Sequence, residues 1–317
     1  MSKPTAIALV LFFACGMAAP ASAQTLGYAE AIDQLGSSCR NDIAKYCKNE
    51  PLGGGRVGAC LKANPVSPAC GSAIRALGAV LQKRAEARKV VMSVCDADAK
   101  RLCAGVVAGD GNLLECYVKA KQRFSQSCRQ AVADAGYEVG LAPSNSRAPI
   151  KLSPGQLVES LAHAEAAAAA FNAAKLRQLV SQSMADPTRA QRVNRPPIIP
   201  IDQLAQFTIA VEFDFGSARI RPDSFRAVGL MADALYHPYL MNYRFVVVGH
   251  TDGVGSREAN LKLSERRAQA IRDALINPFG ISPARLEAVG MGEEQLLNSK
   301  NPAAAENRRV QLINIGQ

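Results

Sequence analysis

Eight cysteines fall into two blocks of four with nearly the same spacing. Cys39, Cys47, Cys60 and Cys70 are separated by 7, 12 and 9 residues, and Cys95, Cys103, Cys116 and Cys128 by 7, 12 and 11. Such a repeat restricts the fold strongly. In each block the first two cysteines lie on a predicted helix about two turns apart, hence on nearly one face. A Gly-rich turn follows (Gly53 to Gly55; Gly109 and Gly111), then a short helix carrying Cys60 or Cys116, then a third helix opened by Cys70 or Cys128. Blocks of roughly 40 residues bury little apolar surface, and a native bridge in so small a unit contributes about 2 to 5 kcal/mol. All-α, disulfide-stapled repeats over about 36–75 and 92–133 are therefore expected. An antiparallel arrangement nests Cys47–Cys60 inside Cys39–Cys70 and Cys103–Cys116 inside Cys95–Cys128, although four cysteines allow three connectivities per block. Zinc is disfavoured: C-x2-C knuckles are absent and no histidine falls inside either block.

The amino terminus indicates the compartment in which these cysteines would pair. Ala6 to Ala14 is an apolar run too short to span a bilayer, and Ala21-Ser22-Ala23 before Gln24 has the form of a signal-peptidase site. Residues 1–23 are read as a signal peptide, which leaves an even set of eight cysteines suited to an oxidising compartment. The alternative is an outer-membrane lipoprotein processed at Cys15. Phe12 argues against it, standing where such processing prefers a small branched aliphatic residue.

No second apolar run reaches membrane-spanning length, so no transmembrane segment is expected in the mature chain. The helical, cysteine-rich texture of the first half also argues against an outer-membrane barrel, which requires many strands of alternating polarity. Lys plus Arg number 37 against 27 Asp plus Glu, and from Asp202 onward the counts are 13 and 13, so the net +10 lies entirely in the amino-terminal part. Few aromatic residues interleave with those charges. The basic excess therefore reads as a solvated face, and nucleic acid is not an expected partner.

Residues 147–201 form a connector. Ser153-Pro154-Gly155-Gln156 is a capping box with proline at the first helical position, and the Ala-rich run to Ala185 predicts one helix of about thirty residues, roughly 45 Å long. Leu157, Leu161, Ala164, Ala168 and Phe171 form a stripe that Lys175 interrupts; a spacer, a dimerisation helix and packing onto the chain's own domains all remain open. Pro187 stops the helix, and Arg195-Pro196-Pro197 with Pro200 predicts a stiff linker.

In residues 202–317, strand texture at Gln206 to Phe215, Arg244 to Gly249, Leu286 to Met291 and Arg309 to Ile315 alternates with helical periodicity at Pro222 to Leu235 and Arg257 to Leu275. This predicts an α/β sandwich of βαβαβ type, a small mixed sheet with helices on one face. Three motifs occur in order: Gly249-His250-Thr251-Asp252 with Gly255; Asn260, Leu263, Ser264, Arg267, Ala268, Ile271 and Leu275 at the spacing Asn-x-x-Leu-Ser-x-x-Arg-Ala-x-x-Ile-x-x-x-Leu; and Asn307-Arg308-Arg309-Val310. On these motifs the region resembles the OmpA C-terminal-like domain family. The cysteine blocks resemble the repeat named after a Golgi apparatus glycoprotein, on the Cys39-x-x-Asp42 start, the Cys47 partner, the Gly-rich turn and Cys60-Leu61; the second block has Asp98 in place but Tyr117 after Cys116.

The first resemblance implies a non-catalytic domain that binds peptidoglycan through the diaminopimelate of the stem peptide. By motif position, Asp252 would receive the ligand ammonium and Arg267 its carboxylate, the pairing that charge-assisted and bidentate hydrogen bonds favour. Thr251, Asn260 and Arg309 are expected in supporting roles. With no nucleophile, base and orienting group assembled in any motif, no enzyme and no cofactor are expected, and His250 with only His163 and His237 elsewhere suggests no metal centre. The expectation is a periplasmic protein of a Gram-negative bacterium, associated with the outer membrane or free of it, that fixes its cysteine repeats to the wall. The alternative is an adaptor or assembly factor whose repeats bind an envelope protein.

Overall fold

A computed structural model describes residues 26–106, 110–137, 154–162, 171–190, 197–198 and 204–317. The expected signal peptide, Cys15 and most of the Pro-rich linker lie outside the described residues.

Among the described residues, seven α-helices build the cysteine-rich part: α1 (Tyr28–Ser38), α2 (Arg40–Tyr46), α3 (Arg56–Ala63), α4 (Pro68–Val94), α5 (Asp96–Leu102), α6 (Asp110–Ala120) and α7 (Gln126–Ala135). Cys39 and Cys47 flank α2, and Cys95 and Cys103 flank α5. The bridges are Cys39–Cys70, Cys47–Cys60, Cys95–Cys128 and Cys103–Cys116, the nested pattern in both blocks. The 27-residue α4 closes the first block and opens the second, so the two repeats share one helix.

The aspartate third after the first cysteine of each block has an identifiable task. Asp42 accepts from the Ser67 backbone N–H and hydroxyl at 3.2 and 2.8 Å, and Asp98 accepts from those of Ser125 at 3.0 and 2.6 Å. Ser67 and Ser125 in turn cap α4 and α7, their hydroxyls accepting from the Cys70 and Cys128 N–H at 3.3 Å each. An acid at the start of one helix thereby fixes the cap of the helix across the outer bridge.

The connector departs from the single thirty-residue helix expected from its composition. It forms α8 (Pro154–Ala162) and α9 (Ala173–Ala185), while residues 163–170 lie outside the described residues. Asn172 ends any continuity: its backbone is extended (φ −145°, ψ 170°), and its side chain caps α9 by accepting from the Lys175 N–H at 2.8 Å. Helix propensity summed along the run loses here to a local cap and to two separate burial sites. Both helices pack on the chain itself.

The carboxy-terminal sheet contains β1 (Gln206–Ile209), α10 (Phe225–Leu235), β2 (Phe245–His250), α11 (Arg257–Ile276), β3 (Leu286–Gly292) and β4 (Val310–Asn314) as its strands and covering helices. Strand order is β1-β4-β2-β3, with β2 parallel to β3 and antiparallel to β4, and β1 antiparallel to β4. One face carries Phe245, Val247, Leu286, Ala288, Val310 and Leu312 against α10 and α11, as the alternation predicts. The opposite face, with Val246, Val248, Val289, Met291 and Ile313, is covered by α9 through Ala173, Leu176 and Val180. The expected strand at Gln206 to Phe215 is shorter, because after Ile209 the chain turns into a separate hairpin in which Phe213 bridges Ile220.

The cysteine repeats lie directly on this unit. Helix α10 is buried along its whole length, between the sheet and α1. Its Asp233, 4% exposed, accepts from the Tyr28 and Ala29 N–H at 3.0 Å each and from Arg84 of α4 at 2.8 Å. A carboxylate at the amino end of α1 satisfies two otherwise unbonded donors and complements the helix dipole. The Arg84 guanidinium also lies 4.1 Å from the Tyr28 ring centre. No described helix is long and apolar enough to cross a membrane.

Candidate functional site

Close approach of α11 to the sheet brings the motif residues together. A Cβ on Gly249 would lie 2.4 Å from the Ser264 carbonyl oxygen, and one on Gly290 would lie 2.3 Å from the Glu265 nitrogen. Only glycine fits either strand here. Ser264 uses the contact, accepting from the Gly292 N–H at 2.7 Å while its hydroxyl donates to the Leu261 carbonyl at 2.8 Å. Sheet register shifts at Gly249 and His250, at the point where β2 gives way to the Asp252 loop.

That loop is braced from several sides. The Thr251 N–H donates to the Gly292 carbonyl at 2.9 Å, the Gly253 N–H to the Pro302 carbonyl at 2.8 Å, and the Val254 N–H to Asp252 Oδ1 at 3.1 Å. Asn260, buried in α11, donates its amide to the Asp252 carbonyl at 3.2 Å and to Glu293 Oε2 at 2.6 Å. Asp252 itself is partly buried, its side chain 16% exposed, and its Oδ2 accepts from Arg308 at 2.8 Å.

Arg267 emerges from α11 beneath the 213–220 hairpin. Its Nε donates to the Ser217 carbonyl at 3.0 Å, and its guanidinium lies 4.8 Å from the Phe213 ring centre. Burial pushes its pKa down from the usual arginine range, opposed by the charge of Asp252, while Arg308 and Arg266 add to the lowering. Asp252 and Arg267, fifteen positions apart in sequence, are therefore electrostatic neighbours. Arg267 is 8% exposed, and among the described residues its Nη atoms have no hydrogen-bond partner.

The supporting residues differ in placement. Thr251 is 2% exposed and Asn260 5%, so both act from inside, shaping the loop. Arg309 is turned inward, donating to the Gln295 carbonyl at 3.0 Å, and it is the neighbouring Arg308 that reaches the Asp252 carboxylate. Sequence reasoning named Arg309 and missed Arg308. Both lie between the Ala305–Asn307 turn and β4, outside the strand, so no strand periodicity could have told them apart. His250 is buried, and burial together with nearby Arg309 pushes its imidazole well below its ordinary value, against an opposing interaction with Gln311. No cluster of three metal-ligating side chains occurs among the described residues.

The OmpA family model matches residues 212–309, from the hairpin through the final arginines. Residues 212–309 form an OmpA-like domain. A model described as a cysteine rich repeat matches residues 29–69, which covers α1 and most of the first cysteine block. Outer membrane porin F of Pseudomonas aeruginosa is 35% identical over 113 residues, 35% of this chain and 32% of that protein. The peptidoglycan-associated lipoprotein of Pseudomonas putida is 39% identical over 102 residues, 32% of this chain and 59% of that protein. Outer membrane protein A of Shigella flexneri is 35% identical over 136 residues, 39% of each chain. The chain thus spans about a third of the porin relatives' length and under two thirds of the lipoprotein's. In this chain the OmpA-like domain is joined to cysteine repeats.

Proposed function

We propose that this protein binds peptidoglycan without covalent attachment, through its OmpA-like domain, and thereby fixes its cysteine repeats to the cell wall. The ligand is the zwitterionic end of a stem-peptide diaminopimelate: Asp252 takes the ammonium and Arg267 the carboxylate. What supports this reading is that the partly buried Asp252 carboxylate acts on the charge of Arg267, which the Ser217 carbonyl holds beside the same end of the domain. Ligand ammonium would compete with Arg308 for Asp252, which leaves Arg308 to turn toward the ligand carboxylate. Similarity to the peptidoglycan-associated lipoprotein and to outer membrane protein A supports a place in the periplasm of a Gram-negative bacterium, beside the outer membrane.

The repeats travel with the wall-binding domain as one packed unit on this reading, because Asp233 joins them through buried hydrogen bonds. A partner held by them would sit at a fixed distance from the wall. Sedimentation with purified sacculi tests the assignment: Asp252→Ala and Arg267→Ala should each abolish co-sedimentation with the circular dichroism spectrum unchanged. Retained binding by both variants refutes it.

A further inference from the structure

We propose that Phe215 is a stacking platform for a sugar of the glycan strand, so that the OmpA-like domain reads the saccharide as well as the stem peptide. This rests on the peptidoglycan reading above. Phe215 is fully exposed, at 105%, whereas the other exposed large apolar side chains among the described residues are aliphatic. Scattered exposed aliphatics are ordinary on a protein surface. A fully exposed phenyl ring on a braced turn is not.

The bracing is extensive. The Ser217 N–H donates to the Asp214 carbonyl at 3.0 Å, the Asp214 N–H to the Arg219 carbonyl at 3.1 Å, and the Arg219 N–H to the Ser217 hydroxyl at 3.0 Å. Asp214 and Arg219 are ion-paired across the turn, and Gly216 supplies the left-handed φ of 61° that the corner needs. The ring is thus presented with little backbone entropy left to lose on binding.

Its position relative to the clamp suits a saccharide. Arg267 is bonded to the Ser217 carbonyl, and Phe215 is two residues away, a backbone span of at most about 7 Å. In a stem peptide two residues stand between the diamino acid and the muramyl lactyl group, about 7 Å of extended chain plus the lactyl itself, so the sugar falls roughly 10 Å from the clamp. A phenyl side chain adds the remaining reach. The negative π-face of the ring attracts the slightly positive C–H bonds that line one face of a pyranose whose hydroxyls are equatorial.

Two ligands separate the sugar contact from the peptide contact: the free L-alanyl-D-glutamyl-diaminopimelate tripeptide and the same tripeptide on its disaccharide, each titrated calorimetrically into the full chain. Phe215→Ala should leave tripeptide affinity unchanged and weaken the disaccharide ligand roughly three- to tenfold, the scale of a single aromatic contact. The chain has no tryptophan, so Phe215→Trp adds a clean reporter, whose emission should shift with the disaccharide ligand and stay constant with the tripeptide. Equal affinities for both ligands before and after Phe215→Ala overturn the platform, as does equal weakening of both, which would place the ring on the peptide. Loss of a co-purifying protein by Phe215→Ala with muropeptide affinity unchanged also overturns it. Asp252→Ala is the control that isolates the underlying reading: if both ligands still bind that variant, the wall-binding assignment fails first.

Discussion

In the cysteine repeats most helices run 7 to 11 residues, and order comes from four bridges and two aspartate-anchored caps. The OmpA-like domain has no bridge; its order comes from a sheet buried on both faces and a 20-residue helix laid against paired glycines. Covalent closure suits a unit with little core, since it limits the unfolded chain, whereas burial suits a unit large enough to enclose a sheet. What the difference teaches is where the two meet. Helix α1 is stapled at its far end by Cys39 but seated by Asp233 of the other unit, so neither strategy alone completes it.

That seam is the place where the contrast is most easily broken. Asp233→Ala leaves Arg84, 4% exposed, without its carboxylate, and removes the acceptor of two backbone donors. Breaking a buried pair from one side costs about 3 to 5 kcal/mol. Unfolding in urea should show the midpoint falling for both units together, read by near-ultraviolet signals from the repeats and by hydrogen exchange in β2 and α11. Independent transitions with the OmpA-like domain unchanged would mean that the seam carries no stability.

Removing the outer staple of the first repeat probes the covalent side of the contrast. Cys39→Ser with Cys70→Ser should cost about 2 to 5 kcal/mol, the usual range for a native bridge in a small unit. Exchange protection should drop first in α1 and α2, which flank Cys39, and last in β2, which lies at the centre of the sheet. Loss of protection in β2 as early as in α2 would show that the repeats are required for the OmpA-like domain to fold.

Most of the second strategy was legible in the sequence. The strand at Phe245–His250, the amphipathic Arg257–Ile276 and the final strand fall within a residue or two of where periodicity placed them, because each has one face in the core and the pattern follows burial. The connector was misread for the complementary reason. Alanine is a strong helix former but marks no face, so composition could not report that Leu157 and Leu161 belong to one side of the sheet and Leu176 and Val180 to the other. At the proposed site, motif spacing pointed to Asp252 and Arg267, but the approach of α11 to the sheet depends on Gly249 and Gly290, a tertiary fact. The seam at Asp233 carried no local signal: an aspartate in a helix is ordinary until the start of α1, 204 and 205 positions away, and Arg84, 149 positions away, turn out to end on it.

The smallest effect concerns the caps, and its sign follows from Asp98. The Ser125 hydroxyl, and after it Arg101, holds the Asp98 carboxyl below its ordinary value of 3.8. A carboxylate whose folded pKa is depressed contributes stability that is present above the unfolded value and is lost as pH falls through the folded one. Wild-type protein should therefore lose part of the second repeat's stability below about pH 4, and Asp98→Asn, which has no proton to take up there, should lose less over the same interval. At pH 7 the variant should be the weaker of the two, since it forfeits the charge-assisted bond to Ser125 and the pairing with Arg101 at 2.6 Å. Urea midpoints at pH 7 and pH 3 read the difference directly. A gap between wild type and variant that is as wide at pH 3 as at pH 7 would show that the Asp98 charge has no part in holding the cap, and that the Ser125 contact rests on shape alone.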